Sequence, residues 1–396
     1  MTAHPLQASP VITTSGQLQE LVAALARTTL VGFDTEFHSE RTYVPRLMLL
    51  QFATADGLWL VDPLADLDLK PLVEALRRPD LTVIGHALRN DLRILWLQFN
   101  LLPERVFDTQ IAAAFLGHGL QIGLAGLLQA MLGVHQPKGD QMADWSKRPL
   151  PERMIGYAAG DVAHLLPLHA LLQDELTRLG RADWVAEECA TLTEPAPYIR
   201  DPDAAFQRVA GGRRMDAREA GVVRALAVER EAIAQEEDIV PHFLLPDEML
   251  HTLARVAPVR RADLENDRRL SHRTVYRHAQ RWLDAVARGL AEPHHRPAGR
   301  APPGWELEAV AALMMLLVND IAVKQNLAPQ LLVKRETLLN AVREPLATPA
   351  ALADALGLTG WRAELLIAPL WTLLDGQLAV RCQRQANGAL QLRFLE

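Results

Sequence analysis

Two acidic residues lie two positions apart in an apolar segment of the chain, LVGFDTEF at 30–37. Successive side chains of a β-strand point to opposite faces, so Asp34 and Glu36 share one face. Two neighbouring carboxylates on an apolar strand repel each other unless a cation lies between them. The pair therefore indicates a cation site. From this motif alone a structural alternative stays open, in which Asp34 ends the strand and Glu36 faces solvent.

Two further acids and a tyrosine lie in segments with helical patterns. Asp91 occurs in GHALRNDLRIL at 85–95, where a predicted strand gives way to a helix. Asp161 follows Tyr157 by four residues in YAAGDVAHL at 157–165, a spacing that places both on one helix face. Each motif also has a structural interpretation. An acid in the first turn of a helix interacts favourably with the helix dipole, and a tyrosine–acid pair is common on helix surfaces.

Four carboxylates brought together can hold two divalent cations, and such a pair of cations suits the hydrolysis of a phosphodiester. The reaction requires a nucleophile made from water and stabilisation of the charge on the departing oxygen. Two divalent cations about 3.5–4 Å apart supply both, and they offset the −4 charge of four ionised acids. Because the ligands are all oxygens, Mg²⁺ or Mn²⁺ is expected. Tyr157 would orient the attacking water or help to deprotonate it, since a phenol both donates and accepts hydrogen bonds.

A loop before the last of these motifs, HQPKGDQMADWSKRP at 135–149, offers cations and an aromatic side chain. Lys138, Lys147 and Arg148 could neutralise phosphates near the cleaved bond, and Trp145 could stack on a terminal base. The alternatives are solvated loop cations and a tryptophan buried in the core.

The elements that must position these residues are typical of an α/β domain. Strands are expected at 30–37, 47–54, 58–61 and 81–86, and helices at 68–78, 88–98, 108–116, 123–132 and 151–178. Because turns rather than helices separate the first strands, we expect a mixed sheet that begins with a meander. No G-x-G-x-x-G follows the first strand, which argues against a dinucleotide-binding fold. Asp108 is predicted to be the N-cap of its helix.

The strand pattern ends at the proline-marked segment 194–203, and the remaining chain is predicted to be helical. A segment rich in proline and glycine at 292–304 divides this helical part, because it excludes a continuous helix. We therefore expect three domains: an α/β domain over 1–200 and two small helical bundles over 206–292 and 305–396.

The charge of the chain is unevenly distributed. The net charge is −7, yet residues 251–300 hold 11 basic residues, all arginine, against 5 acidic ones. Such an island is either a solvated helix surface or a surface that contacts phosphates.

Composition narrows the class of protein. Hydrophobic residues make up 49% and charged residues 22%, values typical of globular proteins rather than disordered ones. The longest apolar run, 309–318, is far shorter than the roughly 20 residues that span a bilayer. The first residues do not resemble a secretory signal, and two cysteines are too few for a disulfide framework. We expect a cytoplasmic, monomeric protein without a membrane anchor.

Taken together, D-x-E on a strand, an aspartate in N-D-L and Y-x-x-x-D on a later helix resemble the DEDDy family of 3′-to-5′ exonucleases. The resemblance implies four metal ligands and one tyrosine that acts on water: Asp34, Glu36, Asp91 and Asp161, with Tyr157. The related histidine-bearing class would need a histidine five residues before its last acid, where this chain has Gly156.

Within that family the sequence is similar to the ribonuclease D family. FDTEFHSERTYVPRLMLLQFA at 33–53 and DWSKRPLPERMIGYAAGDVAHLLPL at 144–168 carry the similarity. Residues 213–295 resemble the helicase-and-ribonuclease-D C-terminal (HRDC) domain, and the final segment, with APQLLVKRETLLNAV at 328–342, resembles a more divergent second copy. The resemblance implies a ribonuclease-H-like mixed-sheet exonuclease domain followed by two small all-α, HRDC-like helical bundles.

The resemblance also implies a function. We expect a metal-dependent 3′-to-5′ exoribonuclease that binds two divalent ions and releases nucleoside 5′-monophosphates from RNA with a free 3′ end, with tRNA precursors as substrates. A DNA 3′-to-5′ exonuclease is an alternative, because the acid motifs do not distinguish ribose from deoxyribose. A non-catalytic nucleic-acid-binding scaffold is a second alternative. It would have lost at least one of the five catalytic positions, and all five are present.

Overall fold

A five-stranded mixed sheet forms the centre of the amino-terminal part of the chain. The computed structural model describes residues 10–136, 143–199, 202–211, 213–265, 269–294, 303–385 and 390–395. The strands of the sheet are β1 (Leu30–His38), β2 (Arg46–Thr54), β3 (Gly57–Val61), β4 (Thr82–Gly85) and β5 (Val106–Asp108). Their spatial order is β3-β2-β1-β4-β5: the first three form an antiparallel meander, and β4 and β5 run parallel to β1. The predicted mixed sheet is confirmed. The sequence did not predict β5, because a strand of three residues carries no readable alternation.

Helices cover both faces of this sheet. They are α1 (Ser15–Ala26), α2 (Lys70–Ala75), α3 (Arg89–Phe99), α4 (Thr109–Phe115), α5 (Leu124–Leu132), α6 (Glu152–Ala163), α7 (Leu165–Arg178) and α8 (Ala182–Ala190). The sequence did not predict α1. The helix predicted over 151–178 is in fact two helices that meet at His164, whose φ of −109° and ψ of 4° leave the helical region. The predicted capping role of Asp108 is confirmed, since its side chain accepts from the backbone N–H groups of Gln110 and Ile111.

A first helical bundle follows. Its helices are α9 (Pro202–Ala210), α10 (Ala217–Glu237), α11 (Pro241–Leu244), α12 (Asp247–Val256), α13 (Arg261–Glu265) and α14 (His272–Ala291). The two long helices, α10 and α14, touch through their backbones. A Cβ added at Gly289 would lie 2.4 Å from the Cα of Val222, so only glycine fits at this crossing. Trp282 is 1% exposed and lies in a hydrophobic core that the helices of this bundle share.

A second helical bundle completes the chain, together with a small sheet. Its elements are α15 (Trp305–Lys324), α16 (Pro329–Leu332), α17 (Arg335–Ala341), α18 (Pro349–Leu356), α19 (Gly360–Leu374), β6 (Ala379–Arg384) and β7 (Leu390–Leu395). The strands β6 and β7 pair in antiparallel fashion. The expectation of helices alone is therefore wrong for the last residues. Of the helices in the described part of the chain, none is long and apolar enough to cross a bilayer.

Candidate active site

Strand β1 places two acids on the sheet face that α6 covers. Asp34 lies opposite Gln51 of β2, and Glu36 lies opposite Leu49. Leu49 is buried in one hydrophobic cluster with residues of α6. The alternate β1 residues Phe33 and Thr35 are also buried, and Phe33 belongs to the main core. The alternation in β1 thus directs Phe33 into the main core and both carboxylates toward α6.

Asp91 approaches the same strand from its free edge. The pairing of β1 with β4 ends at Gly32, so the edge beside the two acids has no paired strand on that side. The chain turns there into α3, and a Cβ added at Gly85 would lie 2.9 Å from the carbonyl oxygen of Phe33. Asp91 is buried, and the hydroxyl of Thr35 donates a hydrogen bond to its carboxylate. Thr35 thereby ties the first turn of α3 to β1.

The turn into α3 is held by Asp108. Ala87 in this turn has a φ of 60°, a left-handed conformation that costs free energy in a residue with a side chain. The backbone N–H groups of Ala87 and Leu88 donate to the Asp108 carboxylate over 3.0 and 2.8 Å. One carboxylate therefore caps α4 and also fixes the turn that aims Asp91 at the site.

Helix α6 supplies Tyr157 and Asp161 from above the strand. Tyr157 hydrogen-bonds to the Asp161 carboxylate, as their predicted shared face allows. Gln136 donates a second hydrogen bond to Asp161 over 2.7 Å. The ring of Tyr157 packs against Trp145, with 6.1 Å between the ring centroids. Two hydrogen bonds and an aromatic contact thus fix the orientation of this end of the site.

The acids converge. Carboxylate oxygens of Asp34, Glu36 and Asp161 lie within 4.8 Å of one another. Asp91 is close enough that its charge raises the pKa of both Asp34 and Glu36. The structure therefore brings all four predicted acids and Tyr157 into one site.

Burial is the main reason that the pKa of each acid is raised. It raises the pKa of Glu36 to about 8, of Asp91 to about 7 and of Asp161 to about 6. The pKa of Asp34 is also well above its usual range. For Asp34 and Glu36, repulsion from the neighbouring carboxylates adds to the effect of burial. A divalent cation would offset this repulsion, so the donor set, which is all carboxylate oxygen, fits such an ion.

Some residues of the loop before α6 that were predicted to contact nucleic acid are not accessible for that contact. Trp145 is 1% exposed, and its backbone N–H donates to His38, so burial argues against stacking on a base. The guanidinium of Arg148 forms a bidentate ion pair with Asp62 and donates to backbone carbonyls. These partners leave Arg148 poorly placed for a phosphate. Lys147 is exposed. Lys138 lies outside the described residues.

Most of the arginines that the structure describes in the island are paired with acids. On α14, Arg277 lies 2.8 Å from Glu237, and Arg281 lies 2.6 Å from Glu229, both on α10. Arg288 reaches the same Glu229 over 2.5 Å. These arginines hold the two long helices of the first bundle together, which favours the structural interpretation of the island over phosphate contact.

Family models match two parts of the chain. A model described as 3′-5′ exonuclease matches residues 10–177, and an HRDC domain model matches residues 219–286. The first match contains the whole acid site, and the second contains most of α10 and α14.

Related proteins match nearly the full length. Ribonuclease D of Granulibacter bethesdensis is 36% identical over 380 residues, which cover 93% of each chain. Ribonuclease D of Gluconacetobacter diazotrophicus is 36% identical over 374 residues, again 93% of each chain. The crystal structure of Escherichia coli RNase D, described as an exoribonuclease involved in structured RNA processing, superposes with a TM-score of 0.81 at 29% identity. That superposition covers 93% of this chain and 99% of the other.

Proposed function

Because the chain belongs to the ribonuclease D family of 3′-to-5′ exoribonucleases, we propose that Asp34, Glu36, Asp91 and Asp161 hold two divalent ions, Mg²⁺ or Mn²⁺, for hydrolysis at RNA 3′ ends. The observation that carries this proposal is the convergence of Asp34, Glu36 and Asp161, whose carboxylate oxygens lie within 4.8 Å of one another, with pKa values that burial raises. When bound, divalent ions activate a water molecule and stabilise the negative charge on the departing 3′ oxygen. The products are nucleoside 5′-monophosphates.

Tyr157 is the residue that we propose acts on the attacking water. Its hydroxyl lies at the acid cluster through its hydrogen bond to Asp161. The contact with Trp145 restrains the ring, so the hydroxyl can hold a water by accepting or donating a hydrogen bond. A Phe at this position keeps the ring contact and loses only the hydroxyl. Tyr157→Phe should therefore lower kcat by about 10²- to 10⁴-fold and leave RNA affinity in Ca²⁺ unchanged.

The proposed substrate is RNA with a free 3′ end, with tRNA precursors as the natural class. Support comes from the relatives, which carry the name ribonuclease D, and from the description of the E. coli enzyme as acting in structured RNA processing. Lys147, in the loop before α6, is exposed. We propose that it contacts the RNA backbone.

The test is digestion of a labelled RNA and a DNA of matched sequence, each with a free or a blocked 3′ end, with Mg²⁺ or with chelator. We expect single nucleotides from the RNA with a free 3′ end, and only when Mg²⁺ is present. Asp161→Asn should remove turnover, whereas Asp174→Asn, at an exposed acid of α7, should not. Preference for DNA would favour the DNA exonuclease alternative. Binding without cleavage under every condition would favour the scaffold.

A further inference from the structure

A buried amide without a hydrogen-bond partner lies beside the acid site. Gln51 of β2 is 0% exposed, and neither its side-chain nitrogen nor its side-chain oxygen has a hydrogen-bond partner among the described residues. An amide in this state costs free energy, because it has lost its hydrogen bonds to water without replacing them. Within β2, Gln51 breaks a run of buried apolar residues, so packing alone does not explain an amide at this position.

The strand register shows what the amide faces. Gln51 pairs directly with Asp34 across the antiparallel β1–β2 ladder, and on its other side it pairs with Leu60 of β3. Directly opposed residues project to the same face, with Cβ atoms about 4.5–5.5 Å apart. Leu60 is packed in the cluster that includes Met154 and Ala158 of α6. The side chain of Gln51 therefore lies under α6, between an apolar neighbour and the Asp34 carboxylate.

We propose that Gln51 is a positioning residue for Asp34. In the cation-bound state its amide N–H donates to one oxygen of the ionised carboxylate, so that the other oxygen points toward the cation; without a cation the amide has no hydrogen-bond partner among the described residues. The amide carries no charge, so it can orient the carboxylate without competing with the cation for it. Groups that orient metal ligands in this way commonly change metal affinity by about 10- to 100-fold when they are lost. This inference rests on the proposed function, because it takes Asp34 to be a metal ligand.

The test uses Gln51→Met in the full-length chain, which keeps the length of the side chain and removes the amide. Mn²⁺ binding is measured by calorimetry without RNA, and thermal unfolding is measured in chelator. We expect Mn²⁺ affinity to fall by about 10- to 100-fold, while the thermal midpoint in chelator stays the same or rises, because an unsatisfied buried amide has been removed. Leu60→Met, a matched apolar change beside Gln51, should leave Mn²⁺ affinity unchanged. Gln51→Leu serves as a second amide-free variant and should behave as Gln51→Met does.

Comparison with Asp34→Asn separates this inference from the proposed function. If Asp34→Asn binds Mn²⁺ as the wild type does, the proposed metal site itself is wrong. If Asp34→Asn loses binding and Gln51→Met does not, only the positioning role is wrong. A large fall of the thermal midpoint of Gln51→Met in chelator would also overturn the positioning role, because it would show that the amide stabilises the fold without a cation.

Discussion

The two helical bundles are attached to the α/β domain in different ways. The first bundle, α9–α14, has a hydrophobic core of its own, to which the α/β domain adds the buried side chain of Tyr43 and the partly buried side chain of Val44 among the described residues. The second bundle, α15–α19, shares one continuous core with the α/β domain, from Leu21 of α1 to Leu370 of α19. Two stretches that both look helical in sequence therefore have different structural roles.

The hydrogen bonds between each bundle and the α/β domain also differ. The first bundle meets the α/β domain through the Tyr43 hydroxyl, which donates to Glu231 over 3.0 Å, and through the Val44 N–H, which donates to Asp238. The second bundle is held by Arg181, a buried residue that donates to the carbonyls of Phe115 and Gln325 over 2.6 Å each.

Aromatic packing strengthens the attachment of the second bundle. Trp361 stacks on Trp184 with 5.0 Å between ring centroids, and it also packs edge-on against Phe115. Arg362 beside it forms an ion pair with Glu188 of α8. The second bundle therefore packs into the core of the α/β domain, whereas the first bundle has a core of its own.

Truncation should have the largest effect. A chain ending at residue 199 exposes apolar surface of the α/β domain, including Trp184 and Phe115, so we expect it to lose cooperative unfolding or to aggregate. Residues 202–294 alone should fold, because their core is largely complete. Circular dichroism during thermal unfolding measures both. A stable chain 10–199 would contradict the shared-core interpretation.

Among the single substitutions that test the attachment of the bundles, Trp361→Ala should lower the free energy of unfolding most. Trp361 is 2% exposed, and deletion of a buried tryptophan typically costs about 3–5 kcal/mol in the free energy of unfolding. Because its partners lie in α4 and α8, the α/β domain should lose stability together with the second bundle. Denaturant unfolding measures the loss. Trp305→Ala is the matched control, since Trp305 is 76% exposed and should change stability by less than about 0.5 kcal/mol.

The thermal stability of the unit that holds the acids, the α/β domain with the second bundle, should depend on pH and on metal, whereas that of the first bundle should not. The pKa values of Glu36, Asp91 and Asp161 are raised to about 8, 7 and 6, so near pH 4 to 8 the folded protein holds more protons than the unfolded chain. These acids then contribute stability below about pH 4 that is lost as pH rises through 6 to 8. In chelator, the thermal midpoint of the unit that holds the acids should therefore be lower at pH 8 than at pH 5.

Mg²⁺ should reverse this loss at pH 8, because a cation binds the ionised acids of the folded state. Calorimetric scans at both pH values, with Mg²⁺ and with chelator, measure the effect. The transition of the first bundle should not move with Mg²⁺. Equal shifts in both transitions would show that the two units unfold together, and would contradict the difference between the two bundles.

Tyr43→Phe should have the smallest effect. It removes the hydroxyl that donates to Glu231 and keeps the ring in the core of the first bundle, so we expect a loss of about 0.5–1.5 kcal/mol. Hydrogen exchange at the contact between the α/β domain and the first bundle measures it. Tyr276→Phe, at a tyrosine that is 75% exposed, is the control and should change nothing. A loss as large as that of Trp361→Ala would mean that the first bundle is attached as firmly as the second.

The difference between the bundles is one that the sequence could not reveal. Helical periodicity reports that one side of a helix is buried, but it does not report what covers that side. The borders predicted at 1–200, 206–292 and 305–396 follow prolines and glycines along the chain, and these residues mark where helices stop. They carry no information about which core a helix joins, so the division into three independent units stays a prediction.

The sequence by itself determined the local features of this protein. The strand alternation placed Asp34 and Glu36 on one face, the four-residue spacing paired Tyr157 with Asp161, and the cap position of Asp108 was readable, because each depends on neighbours within one element.

The tertiary structure decided what depends on residues far apart in the chain. Trp145 is buried, and Arg148 forms an ion pair with Asp62, 86 positions away in the chain. Thr35 donates a hydrogen bond to Asp91, and Gln51 lies opposite Asp34 in the strand register. The physical reason is that strand register and helix docking bring distant segments together, and no local pattern states which segments will meet.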